Sequence, residues 1–311
     1  MIKPVILVTG ANGFVGQHFT RFLKENAFSF YTLSRGHINQ QNNAITLDNL
    51  TSVAFDTVVH LAGRAHVLKE VAADPAAEFK AANVDFTLAV AKAAVAAGVK
   101  RFVFVSSVGV YGTYSALTPI TEVMPPAPIE LYAKSKLEAE NQLREYLSKH
   151  GVELVILRPA LIYGDNAPGN LAKLFKLCDS NIPLPFRNAL ARRTMLNVFA
   201  FCQALLLSAI KPEAAGKIYN VADSTGISTS QIVSCFKKQL GRRNIQFSLP
   251  LALLKWFMQF TKKDKMYKQL FESFTLDSDK LQTELGWQPV SNPGTLLETI
   301  NLKNELNHAK S

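Results

Sequence analysis

The sequence is poor in the features that mark several classes of protein. Its three cysteines, Cys178, Cys202 and Cys235, are odd in number and far apart. They offer neither a disulfide framework nor a metal-ligand cluster, so no metal is expected and a reducing cytoplasm is the expected location. No apolar run approaches the ~20 residues that a membrane span needs. The chain enters a short apolar segment at once, without the basic and apolar regions of a signal peptide. Internal repeats and low-complexity tracts are absent. Acidic residues are outnumbered 24 to 34 by basic ones, for a net charge of +10. That excess suits nucleic acid, an anionic small molecule or a membrane surface. No nucleic-acid-binding motif accompanies it, so nucleic acid is not expected as a partner. What remains is ordinary for a globular protein: 48% apolar residues over 311 positions, enough for a sizeable core in two lobes.

The most informative stretch is the beginning. Val5-Ile6-Leu7-Val8 runs into Thr9-Gly10-Ala11-Asn12-Gly13-Phe14-Val15-Gly16. The apolar run is short and β-branched, which suits a strand. Three glycines at G-x-x-G-x-x-G spacing then suit a phosphate loop opening a helix. Gly10 permits a tight turn, Gly13 keeps a side chain away from a pyrophosphate, and Gly16 lets the helix approach the strand. The helix N-terminus adds unpaired N–H groups and the positive end of its dipole. Phe19, Phe22 and Leu23 are spaced for one face of that helix. A bound dinucleotide is the expectation; a bare strand-to-helix turn is the alternative.

Strands and helices alternate through the first half. Strands are predicted at 30–33, weakly at 45–47, at 57–60, 101–106 and 154–157. An alanine-rich helix is predicted around 76–97 and another at 132–150. Gly98 and Gly151 stand where helix C-caps belong. Thr118–Pro128 holds four prolines and reads as a loop. The pattern predicts an α/β fold with a doubly wound parallel sheet, whose ligands bind at the carboxyl ends of the strands. A dinucleotide-binding domain is expected over residues 1–165. A smaller, interleaved substrate lobe follows over 166–311, with strand 218–221 returning to the first sheet.

Tyr132 and Lys136 lie four apart on a predicted helix and share a face. Of eight tyrosines, only Tyr132 has a lysine four residues later. An ammonium near a phenol pulls the phenol pKa down from about 10. Such a tyrosine can exchange a proton with a sugar hydroxyl while hydride moves. The pair follows a strand ending in Ser106-Ser107, at the carboxyl edge of the sheet. An ordinary surface pair is the alternative.

Together these residues resemble the extended short-chain dehydrogenases/reductases, in the NAD-dependent epimerase/dehydratase group. The matching motifs are Thr9 to Gly16, His60-Leu61-Ala62-Gly63, Asn83-Val84, Ser106-Ser107-Val108-Gly109-Val110-Tyr111-Gly112, Tyr132/Lys136, Leu157-Arg158-Pro159 to Tyr163-Gly164, and Leu285-Gly286-Trp287-Gln288-Pro289. The resemblance spans nearly the whole chain and implies a Rossmann fold. It makes Tyr132 the proton donor and acceptor. It makes Lys136 the residue that lowers the tyrosine pKa and holds the nicotinamide ribose, and Ser107 the partner of the reacting sugar oxygen. For the cofactor it implies Gly10, Asn12, Gly13, Phe14, Val15 and Gly16 at the phosphates. Leu61, Ala62 and Gly63 would line its loop, Ile162 its nicotinamide side, and Asp48 its adenine amino group. Asn83 would hold backbone, and His60 would be a packed strand-end histidine.

Cofactor choice rests on Leu33-Ser34-Arg35, which lacks the acid that bonds an adenosine 2′-hydroxyl. Ser34 and Arg35 suit a 2′-phosphate instead, so NADP is favoured over NAD. On the substrate side, Asn170-Leu171 resembles a pair that meets a uracil-type nucleotide, and Arg193 an arginine that binds diphosphate. A second such arginine is missing from 270–277. The subgroup resembled comes from bacterial polysaccharide synthesis and works at C4 of UDP-linked or lipid-diphosphate-linked amino sugars. Ser107-Val108-Gly109-Val110 lacks a dehydratase acid pair, which leaves C4 keto reduction, favoured by Arg35, and C4 epimerisation. A non-catalytic NAD(P)-binding regulator would tend to lose the Tyr132/Lys136 pair. A homodimer is expected from resemblance alone. The basic, aromatic stretch 249–268 reads as a core helix with a solvated basic face, or as a peripheral contact with anionic lipid.

Overall fold

The computed structural model describes residues 3–34, 44–65, 73–112, 118–250, 255–256, 259–261, 264–298 and 300. Arg35 lies outside the described residues, and so does much of the 249–268 stretch.

Seven parallel strands form the main sheet. In chain order they are β1 (Ile6–Thr9), β2 (Phe30–Leu33), β3 (Ala44–Ile45), β4 (Thr57–His60), β5 (Arg101–Val105), β6 (Glu153–Pro159) and, after two short strand pairs have begun, β10 (Ile218–Val221). The pairs are β7 (Leu161–Tyr163) with β9 (Met195–Asn197), and β8 (Arg192–Arg193) with β11 (Ile227–Ser228). The order across the main sheet is β10-β6-β5-β4-β1-β2-β3. The chain works outward in both directions from β1 and β4, so the crevice between their carboxyl ends is the switch point where such sheets bind ligands.

Both faces of the sheet are covered, which is why its strands read as continuous apolar runs. Ile6 and Val8 pack with Phe19 and Leu23 of α1 (Phe14–Glu25) and with α6 (Val198–Ile210). Leu7, on the opposite face, packs with Val90 and Ala94 of α3 (Phe86–Ala96) and Leu143 of α4 (Leu131–Ser148). A third cluster joins Tyr163, Leu171, Phe175, Phe236 and Leu297. It holds together α5 (Asn170–Cys178), α7 (Thr229–Gln239) and α10 (Pro293–Leu297). Two more helices, α8 (Asp264–Phe271) and α9 (Asp279–Leu285), lie between α7 and α10 in the chain. Trp287 is wholly buried against α6, its indole N–H donating to Ala200 O at 2.8 Å.

The alanine-rich helix expected over 76–97 is divided. α2 (Pro75–Lys80) passes through a π-helical turn at Ala81–Asp85 before α3 begins. A π-turn takes in an extra residue and re-aims its side chains. Here it carries Asn83 and Val84 into the interior.

Candidate active site

The glycine loop has the geometry a pyrophosphate requires. Gly10 has φ +70°, and a Cβ there would stand 2.7 Å from Ala62 N. A Cβ on Gly16 would stand 2.1 Å from Gly10 O, so α1 approaches its strand through bare backbone. Asn12 and Gly13 are exposed, and no side chain caps the N-terminus of α1. Its first N–H groups therefore face outward without a side-chain acceptor, beside Phe14 and Val15. Residues of this kind fit a dinucleotide. Ser34 follows β2 and donates its backbone N–H to Ile45 O at 2.8 Å. Asp48 is exposed in the turn after β3, and Ile162 is half-buried on β7.

A hydrogen-bond chain sets the second cofactor-side loop, Leu61-Ala62-Gly63. The Thr87 hydroxyl gives its proton to Asn83 O at 2.7 Å, so it accepts from His60 Nε2 at 3.0 Å. His60 Nδ1 then accepts from the Thr9 hydroxyl at 2.9 Å, and Thr9 Oγ1 accepts from Ala62 N at 3.1 Å. Burial, together with the charge on Lys136, holds His60 down to about 3, so the ring is neutral. The loop is thereby pinned to the ends of β1 and β4. Asn83 holds its far end, accepting from Arg64 N at 2.7 Å and donating to Arg64 O at 3.0 Å.

Ser107, Tyr132 and Lys136 converge from two elements. Ser107 ends the β5 segment and caps a 3-10 turn, its hydroxyl accepting from Gly109 N at 3.1 Å. It also stands close enough to the Tyr132 phenol to lower its pKa. Lys136 is buried one turn further along α4 and donates to Val105 O at 2.9 Å. A Cβ on Gly63 would lie 3.3 Å from its Nζ, so the amine reaches the cofactor-side loop. Contrary to the expectation from the Tyr132/Lys136 spacing, the phenol pKa is raised. Burial pushes Tyr132 up to about 12, against the lowering effect of the Ser107 hydroxyl. The Lys136 amine donates to a carbonyl and is itself desolvated, and burial pulls it down to about 8 despite Glu140.

Tyr132 and Arg193 open onto one cleft of about 140 Å³, with Val108, Gly109, Gly112, Ile129, Glu130, Ala133 and Phe274. The Arg193 guanidinium donates to Glu272 O at 3.2 Å and lies 5.1 Å from the centroid of the Phe274 ring. Asn170 is exposed at the start of α5. The Leu171 side chain is 6% exposed and belongs to the small-lobe core, because its turn of α5 packs on α7. Neither residue lines the Tyr132 cleft.

Two parts of the site escape sequence reasoning. Phe274 comes from a segment about eighty residues beyond Arg193, paired with it through an isolated backbone bridge. A buried polar network also braces α4 from behind. Arg158 donates to Glu140 at 3.0 and 2.6 Å and to the Tyr111 hydroxyl at 2.8 Å, and Tyr111 donates to Asn220 Oδ1 at 2.9 Å. Arg158 and Tyr111 stand in quoted motifs, but their pairing spans four elements.

The fold and this constellation define an extended short-chain dehydrogenase/reductase. More narrowly, residues 6–222 match the model of the NAD dependent epimerase/dehydratase family, and the chain belongs to that family of NAD(P)-dependent enzymes. A UDP-glucose 4-epimerase from Vibrio cholerae is 30% identical over 305 residues, covering 94% of this chain and 92% of its own. An N-acetyl-alpha-D-glucosaminyl-diphospho-ditrans,octacis-undecaprenol 4-epimerase from Escherichia coli O157:H7 is 30% identical over 262 residues, covering 80% and 76%. The solved UDP-N-acetylglucosamine 4-epimerase from Bacillus cereus superposes with a TM-score of 0.76 over 96% of each chain, at 22% identity, a likeness of fold. No helix among the described residues is long and apolar enough to cross a membrane, and none of their His, Cys, Asp and Glu side chains cluster as metal ligands.

Proposed function

We propose that the protein is a 4-epimerase of a hexose or N-acetylhexosamine carried on a diphosphate, either uridine diphosphate or a lipid diphosphate. The observation that carries this reading is the single cleft shared by Tyr132 and Arg193. The V. cholerae and E. coli relatives support it, since both are 4-epimerases by name. A bound nicotinamide supplies hydride acceptance and return at C4. Tyr132 takes the proton of the 4-hydroxyl and gives it back from the position fixed by Ser107. Lys136 supplies positive charge between the phenol and the cofactor-side loop, Ser107 holds the sugar oxygen, and Arg193 meets the diphosphate.

A second reading, reduction of a 4-keto sugar, rests on Leu33-Ser34-Arg35, where no acid follows β2. The same residues favour NADP over NAD. The sequence alone put reduction first; the epimerase relatives move the weight to epimerisation. Incubation with UDP-N-acetylglucosamine and no added cofactor is the test, after mass spectrometry of the cofactor that copurifies. Formation of the C4 epimer is expected. Stoichiometric NADPH oxidation on a 4-keto-6-deoxy sugar nucleotide, with no epimer formed, would overturn the first reading in favour of the second.

A further inference from the structure

Outside the cleft, the strongest unexplained feature is a pair of exposed aromatic rings. Trp256 and Phe260 are 62% and 78% exposed. They are helical residues one turn apart, and their rings stack with centroids 6.0 Å apart at 16°. Ile245 and Phe247, earlier in the chain, are also exposed. Large apolar side chains left together in water mark a contact surface.

The charge around the pair indicates what it contacts. Residues 237–268 hold nine basic side chains and one acid, Asp264. The structure removes three from consideration: Lys237 is buried on Ser180 O, Lys238 pairs with Glu298 at 2.7 Å, and Arg242 pairs with Asp179 at 3.0 Å. Arg243 and Lys255 remain exposed beside the apolar residues in sequence. A second copy of the chain would bring the same positive charge to the same face, which disfavours pairing between copies. An anionic surface is complementary to it.

The pair is also linked to the cleft. Lys255 Nζ lies 5.9 Å from the centroid of the Tyr267 ring on α8. Tyr267 stacks on Phe271 at 5.1 Å, at the end of the same helix. The next residue, Glu272, accepts from Arg193, and Phe274 lines the cleft. The helix that Lys255 contacts is eight residues long, about 12 Å at 1.5 Å per residue, and ends at the diphosphate side of the site.

We propose that Trp256 and Phe260, with Arg243 and Lys255, seat the protein on an anionic lipid bilayer, so that a lipid-diphosphate-linked sugar enters the cleft past Arg193. This deepens the proposed function and rests on it for the identity of the substrate. Aromatic rings beside cations suit the headgroup boundary, and salt weakens the charged part of such a contact.

The test is cosedimentation of the whole protein with vesicles of phosphatidylglycerol and phosphatidylcholine, or of phosphatidylcholine alone. Tryptophan emission is followed in parallel. The chain has two tryptophans, and Trp287 is fully buried, so Trp256 reports the surface. Binding to the anionic vesicles only is expected, with a blue shift and quenching by brominated acyl chains. In a Trp256→Ala/Phe260→Ala variant with an unchanged circular dichroism melt, binding falls by about tenfold or more while turnover of a soluble UDP-sugar is kept. A wild type that stays in the supernatant at low salt overturns the proposal, and so does unchanged binding by the folded variant. A dimer in sedimentation velocity that the variant loses, without vesicle binding, assigns the face to a second copy. Vesicle binding without turnover of any diphosphate-linked sugar overturns the proposed function instead and leaves the surface standing.

Discussion

The Asn83 side-chain amide donates to the Ser135 hydroxyl at 2.9 Å, and that hydroxyl donates in turn to Tyr132 O at 2.8 Å. The same amide holds Arg64 on the cofactor-side loop. One buried side chain therefore sets the spacing between that loop and the turn of α4 that carries Tyr132. Asn83→Ala leaves these partners unsatisfied, at a cost of about 1–3 kcal/mol each where they are buried. A lower melting temperature and weaker cofactor binding are expected together. Unchanged values for both would show that the link is dispensable.

Tyr132→Phe removes the phenol and keeps the ring. Turnover should fall by a factor of about 10²–10⁴, the scale of general acid–base work, while cofactor binding holds. Single-turnover kinetics with a fluorescence titration of cofactor separate the two effects. Near-wild-type turnover would remove Tyr132 from the chemistry.

The Lys136 amine, pulled down to about 8 by burial, loses its proton as pH rises through that value. If its charge serves Tyr132, kcat/KM falls about tenfold per unit above about pH 8. In the unfolded chain the lysine keeps its proton to about 10.4, so between the two values the unfolded state binds more protons. Its contribution to stability therefore rises with pH across that window. A pH–rate profile, with urea midpoints at matching pH, reads both.

Glu140 is fully buried and answers the buried Arg158 through two hydrogen bonds. Glu140→Gln leaves that guanidinium without its counter-charge, which should cost about 3–5 kcal/mol. Chemical denaturation measures it. A change within about 0.5 kcal/mol, the usual surface range, would mean that the network does not brace α4.

Arg193→Ala tests the substrate side. A guanidinium that holds the diphosphate equally in ground and transition states raises KM and spares kcat. A charge-assisted bond of about 1.5–3 kcal/mol corresponds to a rise of roughly tenfold to a hundredfold. An unchanged KM for a diphosphate-linked sugar would place the diphosphate elsewhere.

The alternating apolar segments, the glycine spacing and the Tyr132/Lys136 interval were legible without coordinates. Strands 30–33, 57–60 and 218–221 have the bounds the pattern predicted. Local order of this kind is written into neighbouring residues: the covered faces demand continuous apolar runs, and positive φ at Gly10, Gly98 and Gly151 demands glycine. Which side chains meet was decided only by the tertiary structure. Leu171 turned into a core, the π-turn carried Asn83 inward, Phe274 came under Arg193 from a distant segment, and burial outweighed the Ser107 hydroxyl in setting the Tyr132 phenol. Each of these depends on packing between elements far apart in the chain. Desolvation in particular depends on everything that surrounds a group, and no spacing of residues along a sequence encodes it.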